Sequence, residues 1–364
     1  MCAHVLAAVS GHGYGHVSQT AAVVGELRAH HPGLRITVQT AAAAAVVHAR
    51  FGADIALIPS APDVGMLMHS PLDVDGPGTH AAYAAFHHRW DARIDTEARL
   101  LERLAPDLIL ANVPYLTLAA AHRVGIPAVA LCSLNWVDIF THYCGHVAGA
   151  VPIVNQMRAA YALARRFYVP EPGMPAAHLA PARPVGVIGR RGTRLDARLR
   201  QEFGVGTDER ILLLALGGVD LVLALERWPD LPGWRLAAPA ALAARRRGSL
   251  ALGPHYTGDR FTDLLCSCDA VLTKPGYGTF AEIAGNAVPA LYVRRPDWPE
   301  EPYLVRWLRD RARCGEIPRA LFEHGHLGAA LAALLAQPPR AAVPLDGAAE
   351  VALDLTREFL APAA

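Results

Sequence analysis

The chain has 364 residues, of which 52% are hydrophobic and 18% are charged, and its formal net charge is +1. Because a single hydrophobic core usually stops growing below this length, we expect two domains. The hydrophobic content excludes a disordered chain. The near-neutral charge excludes the clustered basic face of a nucleic-acid-binding protein, so no nucleic-acid partner is expected.

The N-terminal residues and the cysteines indicate the cellular compartment. Residues 1 to 6 contain no basic stretch followed by a long apolar segment, so no secretory signal is expected. The longest apolar run, 211 to 225, is interrupted by glycines and an aspartate and is shorter than the roughly 20 residues that cross a bilayer. The six scattered cysteines are typical of free thiols in a reducing compartment. We therefore expect a cytoplasmic protein without a transmembrane segment; peripheral membrane contact stays open.

Short apolar runs alternate with longer helical patterns along the chain, which is typical of parallel α/β sheets. In the first half, strands are predicted at His4–Val9, Arg35–Gln39, Ile55–Ile58, Leu108–Ala111 and Ala128–Cys132. In the second half, they are predicted at Ile211–Leu216, Leu236–Ala238, Ala270–Leu272 and Ala290–Val293. Predicted helices include Val17–His30, Thr79–Leu104 and Ala348–Leu360. The predicted fold class is α/β, with two Rossmann-like doubly wound parallel-sheet domains.

A proline-rich segment separates the two halves. Prolines at 170, 172, 175 and 181 stiffen the chain and exclude a regular helix there. We therefore expect an N-terminal domain over 1–169, a linker over 170–185, a C-terminal domain over 186–345 and a C-terminal helix over 346–364.

The first candidate site is the glycine-rich loop from Ser10 to His16, between the first strand and the first helix. Its three glycines let the backbone approach a ligand, and the N-terminus of the following helix favours an anion. The loop does not fit the dinucleotide pattern G-x-G-x-x-G, because His16 occupies the place of the third glycine. His16 and His12 are candidate general bases, since a neutral imidazole can accept a proton. The alternative for His16 is that it only caps the helix.

A second glycine loop follows the first predicted strand of the second half. Gly217 and Gly218 take the place there that the glycine-rich loop holds in the first half. Backbone amides at such a turn can meet a diphosphate. A pair of glycines is weak evidence by itself, so its value lies in this equivalence of position.

The third candidate site is the segment from Lys274 to Glu301, in which a strand, a glycine turn and a helix follow one another. The turn and the start of the helix contain Gly276, Tyr277, Gly278 and Thr279. Glu282 is predicted to lie inside this helix, where its carboxylate can accept hydrogen bonds from the two hydroxyls of a ribose. The alternative is that Glu282 is an ordinary solvated helix residue.

These motifs resemble those of glycosyltransferases with the GT-B architecture. The loop with His16 is similar to that of the N-acetylglucosaminyltransferases that form lipid II. The segment 269–308 resembles the glycosyltransferase-like N-terminal domain of the L-arabinokinases. The matching residues are Gly276, Tyr277, Gly278, Thr279, Glu282, Pro289, Arg294, Arg295, Glu300, Glu301 and Pro302.

The resemblance implies two domains that face a cleft, with a nucleoside diphosphate sugar, UDP-linked, bound to the C-terminal domain as donor. Glu282 would bind the ribose, and Glu300 and Glu301 would contact sugar hydroxyls. Gly276, Gly278 and Thr279 would lie near the diphosphate, and Lys274 and Tyr277 would belong to the same donor site. His16 would serve the acceptor. No other cofactor is implied.

No metal site is expected. Asp73-Val74-Asp75 matches the D-x-D triplet of metal-dependent glycosyltransferases, but it lies in a Pro/Gly loop rather than at a strand end. The resulting hypothesis is metal-independent transfer, with inversion, of a hexosyl or N-acetylhexosaminyl group to an unidentified acceptor hydroxyl. Two alternatives stay open: an epimerase or hydrolase of nucleotide-sugars, and a nucleotide-sugar-binding protein without activity.

Overall fold

The computed structural model describes residues 3–217, 223–253, 256, 258 and 260–360. The chain forms two compact units. Unit 1 comprises Met1–His69, Asp73–Ile188 and Asp346–Ala364, and unit 2 comprises Ser70–Leu72 and Gly189–Leu345.

Unit 1 is built on a seven-stranded parallel sheet of order β3-β2-β1-β4-β5-β6-β7. Its strands are β1 (His4–Val9), β2 (Arg35–Gln39), β3 (Ala56–Ile58), β4 (Leu108–Asn112), β5 (Ala128–Leu131), β6 (Phe167–Pro170) and β7 (Ala182–Val185). Every residue of β1 and β4 is buried, as is typical of central strands in a parallel sheet that helices cover on both faces.

The helices of unit 1 connect these strands. They are α1 (Tyr14–His30), α2 (Ala44–Phe51), α3 (Gly76–His87), α4 (Trp90–Leu104), α5 (Tyr115–Val124), α6 (Trp136–Cys144) and α7 (Ala150–Tyr161). The terminal helix Gly347–Leu355, continued by a π-helical turn over Thr356–Leu360, packs on α1. Asp354 of the terminal helix accepts hydrogen bonds from Tyr168 and Arg183, which ties it to β6 and β7.

Unit 2 is built on a six-stranded parallel sheet of order β10-β9-β8-β11-β12-β13. Its strands are β8 (Arg210–Ala215), β9 (Trp234–Pro239), β10 (Leu250–Leu252), β11 (Ala270–Thr273), β12 (Ala290–Tyr292) and β13 (Cys314–Glu316). Its helices are α8 (Asp196–Phe203), α9 (Ala240–Ala243), α10 (Phe261–Cys266), α11 (Tyr277–Gly285), α12 (Glu301–Arg311), α13 (Arg319–Glu323) and α14 (Gly328–Ala336), with a 3₁₀ turn at Leu225–Arg227. Apolar side chains from β8, β11 and β12 form part of its buried core.

The predicted α/β class with two parallel-sheet domains is confirmed, and all nine predicted strands are present within two residues of their predicted ends. The sequence analysis missed β6, β7, β10 and β13. These are strands of three or four residues, and β6 and β7 contain prolines. Such short runs give too little pattern to separate a strand from a loop.

Two further expectations differ from the structure. The predicted helix Thr79–Leu104 is two helices, because the backbone at Arg89 leaves the helical region with φ −119° and ψ 39°. The guanidinium of Arg93 donates a hydrogen bond to the carbonyl of Phe86 at this break. The segment 170–185, expected to be a linker, contributes β7 to the sheet of unit 1, and the chain passes into unit 2 after Ile188.

The five cysteines within the described residues are free thiols, as predicted. Across the same part of the chain, the helices are too short or too polar to cross a membrane.

The order of strands reverses once in each sheet. In unit 1 it reverses between β1 and β4, where Val9 pairs with Asn112. In unit 2 it reverses between β8 and β11, where Ala215 pairs with Thr273. The connections that leave two such strands go to opposite sides, so a crevice opens at their carboxyl ends, where open α/β sheets bind their ligands.

Candidate functional site

The glycine-rich loop lies at the carboxyl end of β1, at the reversal point of unit 1. The backbone N–H of Ser10 donates to the carbonyl of Asn112 at 2.8 Å, which holds the loop against the end of β4. Gly13 has a φ of 79°, a conformation that side chains rarely adopt, and α1 begins directly after it. The loop is therefore a tight turn that starts α1 at the edge where ligands bind.

His16 lies in the first turn of α1 and is 7% exposed. Its Nδ1 is 2.9 Å from Oδ1 of Asn112 and 3.6 Å from the sulfur of Cys132. Gly13 occupies the N-cap position and no side chain caps the helix, so the interpretation that His16 only caps α1 is wrong. Burial lowers the pKa of His16, although the hydrogen bond with Asn112 acts in the opposite direction. The imidazole is therefore neutral at neutral pH.

His12 is held differently in the same loop. Its Nδ1 faces the backbone N–H of Met66 at 3.3 Å. Because a backbone N–H can only donate, Nδ1 of a neutral His12 carries the lone pair and Nε2 carries the proton. His12 is thus arranged to donate through Nε2, which makes it a poorer candidate for the general base than His16.

A buried carboxylate that the sequence analysis missed supports this loop from the side. Asp63 accepts hydrogen bonds from Nε1 of Trp136, at 2.7 Å, and from the hydroxyl of Ser10. Burial raises the pKa of Asp63 to about 6, against the effect of these two bonds. The ring of Trp136 contacts both histidines, with ring centroids 5.2 Å from His12 and 5.7 Å from His16. Asp63 therefore fixes the aromatic wall beside the candidate base.

In unit 2, Lys274 lies between the two glycine turns that leave β8 and β11. Gly217 has a φ of 85°, and a Cβ at this position would lie 3.9 Å from Nζ of Lys274. A Cβ at Gly276 would lie 4.0 Å from the same Nζ. The ammonium thus sits where backbone amides and a positive charge can meet one anion. Gly218, the second glycine of the predicted loop, lies outside the described residues.

The side chain of Lys274 is partly buried. Burial and the positive charge of Arg295 together lower its pKa to about 7, although the carboxylate of Glu300 acts in the opposite direction. Among the described residues, its Nζ makes no hydrogen bond. An anion placed beside Nζ would favour the charged form and raise the pKa again.

The N-terminus of α11 adds backbone donors at the same edge of the sheet. Gly276 is its N-cap residue, and Tyr277, Gly278 and Thr279 form its first turn. The N–H groups of a first helical turn have no partner within the helix, and here the turn contains no acidic residue. The sequence prediction of a strand, a glycine turn and a helix start is confirmed at this segment.

Glu282 is buried in α11, with 5% of its surface exposed, so the interpretation as a solvated helix residue is wrong. Its Oε1 accepts a hydrogen bond from the hydroxyl of Thr262 at 3.1 Å. A carboxylate has about four acceptor positions, so it can accept several hydrogen bonds at once.

Glu300 and Glu301 differ in their surroundings although they are adjacent. Glu301 is fully buried, and its two carboxylate oxygens accept hydrogen bonds from Arg294 and from the backbone N–H of Arg295. Both carboxylate oxygens of Glu301 thus hold the loop before α12. This arrangement argues against the expectation that Glu301 contacts sugar hydroxyls. Glu300 accepts a hydrogen bond from Nε1 of Trp298 at 3.1 Å and is close enough to influence Lys274.

The Asp73-Val74-Asp75 triplet has a structural explanation. Asp75 is the N-cap residue of α3 and accepts a hydrogen bond from the backbone N–H of Gly78 at 2.8 Å. Within the described residues, no group of three histidine, cysteine or acidic side chains is arranged to hold a metal ion.

Two curated proteins have sequences similar to this chain, while no protein-family model matches it. The L-arabinokinase of Arabidopsis thaliana is 28% identical over 318 residues, which are 84% of this chain and 30% of the kinase. The chain therefore spans less than a third of that relative. A UDP-N-acetylglucosamine–N-acetylmuramyl-(pentapeptide) pyrophosphoryl-undecaprenol N-acetylglucosamine transferase from Mycolicibacterium paratuberculosis is 28% identical over 304 residues, which are 78% of this chain and 68% of the transferase.

Solved structures show the same fold at lower sequence identity. The glycotransferase of kitacinnamycin matches with a TM-score of 0.59 and 18% identity, over 99% of this chain and 95% of that structure. The UDP-GlcNAc 2-epimerase of Neisseria meningitidis matches with a TM-score of 0.60 and 12% identity, over 98% of this chain and all of that structure. These likenesses, with the two parallel sheets, show that the chain has the GT-B fold of glycosyltransferases, as the sequence motifs indicated.

Proposed function

We propose that the protein transfers a glycosyl group from a nucleoside diphosphate sugar to an acceptor hydroxyl. The observation that carries this proposal is the position of Lys274, which lies between two glycine turns at the reversal point of the second sheet. A partly buried ammonium beside a helix N-terminus is suited to a diphosphate, because both favour a compact double anion.

The donor would be held by unit 2. Lys274 and the N–H groups in the first turn of α11 would bind the diphosphate, and Glu282 would accept hydrogen bonds from the ribose. Glu300 would contact hydroxyls of the sugar. We propose a UDP-linked hexose or N-acetylhexosamine, because the similar transferase is named for UDP-N-acetylglucosamine and the similar epimerase structure holds UDP-GlcNAc.

The chemistry would be a single displacement with inversion. The acceptor oxygen forms a bond to the anomeric carbon, the bond from this carbon to the diphosphate oxygen breaks, and its electron pair leaves with the diphosphate. His16 of unit 1 takes the acceptor proton. Lys274 and the amides of α11 stabilise the charge that develops on the leaving group, so the proposal needs neither a metal ion nor another cofactor.

The experiment is to incubate the protein with a panel of nucleotide-sugars and simple hydroxyl acceptors and to measure released nucleoside diphosphate, with NMR identification of the sugar product. His16→Ala and Glu282→Ala are the test variants, and Arg123→Ala, on an exposed ion pair of unit 1, is the control. We expect both test variants to lose activity and the control to keep it. Unchanged turnover in both test variants would contradict the assignment.

The same experiment separates transfer from the other activities. A transferase forms a new glycoside and releases the diphosphate, whereas a hydrolase releases free sugar. An epimerase of the kind seen in the similar Neisseria structure yields an altered sugar. A protein that binds the nucleotide-sugar without any product over a long incubation would be a binding protein.

A further inference from the structure

We propose that two buried side-chain amides, those of Asn112 and Gln19, fix the tautomer of His16, with the proton on Nδ1 and the lone pair on Nε2. Only the catalytic consequence of this tautomer rests on the proposed function. The tautomer itself is a property of the unliganded protein.

Asn112 sets the direction of the hydrogen bond to the ring. It ends β4 and is fully buried. Its Nδ2 lies 3.1 Å from Oε1 of Gln19 and 3.5 Å from the backbone oxygen of His16. Because both of these oxygens can only accept, the amide nitrogen must point to them. The oxygen Oδ1 then faces the ring at 2.9 Å, and Nδ1 of His16 must donate to it.

Gln19 reinforces the orientation of Asn112 that the backbone oxygen of His16 sets. It lies three residues after His16 on the same buried face of α1 and is itself buried. Its Nε2 donates to the hydroxyl of Ser133, just after β5, at 3.3 Å. The line of donors and acceptors therefore runs from Ser133 through Gln19 and Asn112 to the imidazole, and all four side chains are buried.

Reversing the tautomer would be unfavourable at this place. With the proton on Nε2, the bare Nδ1 of His16 would face the oxygen of Asn112, and a buried polar pair would lose its hydrogen bond. The sulfur of Cys132, 3.6 Å from Nδ1, is a second weak acceptor for the same proton. The side of the ring that is left to accept a proton is Nε2.

The partner of the ring is a neutral amide rather than a carboxylate, which distinguishes this arrangement from a charge-stabilised histidine. A neutral amide orients the imidazole, and its hydrogen bond raises the pKa of His16 less than burial lowers it. The titratable groups around His16 are Cys132 after β5, His12 in the same loop, and Asp63, which is separated from it by Trp136. No charged side chain contributes to the lowered pKa of His16, whose cause is burial.

Asn112 and Gln19 are therefore positioning residues, while burial is what lowers the pKa of His16. The acceptor proton would pass to Nε2 while Nδ1 keeps its bond to Asn112. The resulting imidazolium has no carboxylate partner, so it would release the proton to solvent readily.

The test is NMR of the ¹⁵N-histidine-labelled, full-length protein, in which two-bond correlations distinguish the Nδ1–H from the Nε2–H tautomer. His16→Asn identifies the His16 signals. We expect the wild type to show the Nδ1–H tautomer, and Gln19→Met, which keeps the shape but removes the amide, to show a mixture. Thr20→Val is the matched control, because Thr20 is equally buried on α1 and its hydroxyl bonds only the backbone oxygen of His16. It should keep the wild-type tautomer.

An Nε2–H tautomer in the wild type would overturn the proposal, and this spectrum decides it even if a variant fails to fold.

In Asn112→Asp, the new carboxylate should raise the pKa of His16 by at least one unit in an NMR titration; an unchanged pKa would contradict the role of Asn112. If the protein is a transferase, the acidic limb of kcat/KM should shift by the same amount. Gln19→Met should lower kcat without changing the KM for the donor. Absence of transfer with the Nδ1–H tautomer present would instead count against the proposed function.

Discussion

Nδ1 of His16 lies 2.9 Å from Oδ1 of Asn112. His16 follows β1 and Asn112 ends β4, and the first sheet reverses its strand order between these two strands. In the second sheet, Gly217 follows β8 and Lys274 follows β11, the strands between which that sheet reverses its order. The same topology thus presents a neutral imidazole in one unit and a cation in the other. This difference assigns proton transfer to unit 1 and diphosphate binding to unit 2 in the account proposed here.

Binding of a nucleoside diphosphate should be coupled to protonation of Lys274. Its pKa is lowered to about 7 in the free protein, so the group titrates near neutral pH. A bound diphosphate favours the charged form, so the pKa is higher in the complex. Affinity for UDP should therefore fall as pH rises above 7. Calorimetry of UDP binding in buffers with different ionisation enthalpies should show uptake of protons near pH 8.

Lys274→Arg is the matched control for this prediction, because it keeps a positive charge that does not titrate in this range. It should bind UDP without proton uptake. Lys274→Met should also lose the proton uptake and should weaken binding by about tenfold or more, as expected for the loss of a charged hydrogen bond. Equal proton uptake by the wild type and Lys274→Met would show that another group is responsible.

Glu300 and Glu301 should respond differently to removal of charge. Glu301→Ala leaves the N–H of Arg295 without its acceptor and breaks the ion pair with Arg294, so we expect a loss of about 2 kcal/mol in the free energy of unfolding. Glu300→Gln keeps an acceptor for Trp298 and should leave stability nearly unchanged while reducing turnover of the nucleotide-sugar. Urea unfolding and an assay of released diphosphate measure the two effects. A turnover defect in Glu301→Gln without a loss of stability would reverse the assignment.

Asp63 should make stability depend on pH between about 4 and 6. Its pKa of about 6 in the folded protein is above the ordinary value, so the folded state binds more protons than the unfolded state in this window. The stabilising contribution is present below pH 4 and is lost as the pH rises through 6. The difference in unfolding free energy between wild type and Asp63→Asn should therefore decrease from pH 4 to pH 6. A difference that is constant with pH would contradict this.

Glu282 should discriminate ribose from deoxyribose. If its carboxylate binds the ribose hydroxyls, Glu282→Ala should lose about tenfold in affinity for UDP and bind UDP and 2′-deoxy-UDP about equally. Thr262→Val removes only the hydroxyl that donates to Glu282, so it should keep the preference for UDP. Titration of both nucleotides into the three proteins measures this. A preference that survives in Glu282→Ala would place the ribose elsewhere.

The local sequence pattern was sufficient to predict the parts of the site whose residues follow one another in the chain. The turn from β11 into α11 could be predicted because a buried apolar run, a glycine turn and a helical pattern follow each other within a few residues. The same holds for the loop before α1. In both segments, the glycines have the backbone role that local chemistry requires.

The partners of His16 could not be predicted in this way. Asn112 is 96 residues away from His16 and Ser133 is 114 residues away from Gln19, so only the pairing of β1, β4 and β5 brings them together. The hydrogen bonds of Glu301 to Arg294 and Arg295 could not be predicted either, because a sequence motif does not show whether a carboxylate faces a ligand or a backbone N–H. Burial and hydrogen-bond direction decide that question, and both depend on the folded chain.

The division of roles between His16 and Lys274 can be measured by comparing donor binding and sugar transfer in His16→Ala and Lys274→Met, with the nucleotide-sugar that the wild type uses. We expect His16→Ala to bind the donor as tightly as the wild type but to transfer sugar at least about a hundredfold more slowly, as expected for a lost general base. Lys274→Met should lose donor affinity. Wild-type binding and wild-type transfer in both variants would contradict this division of roles.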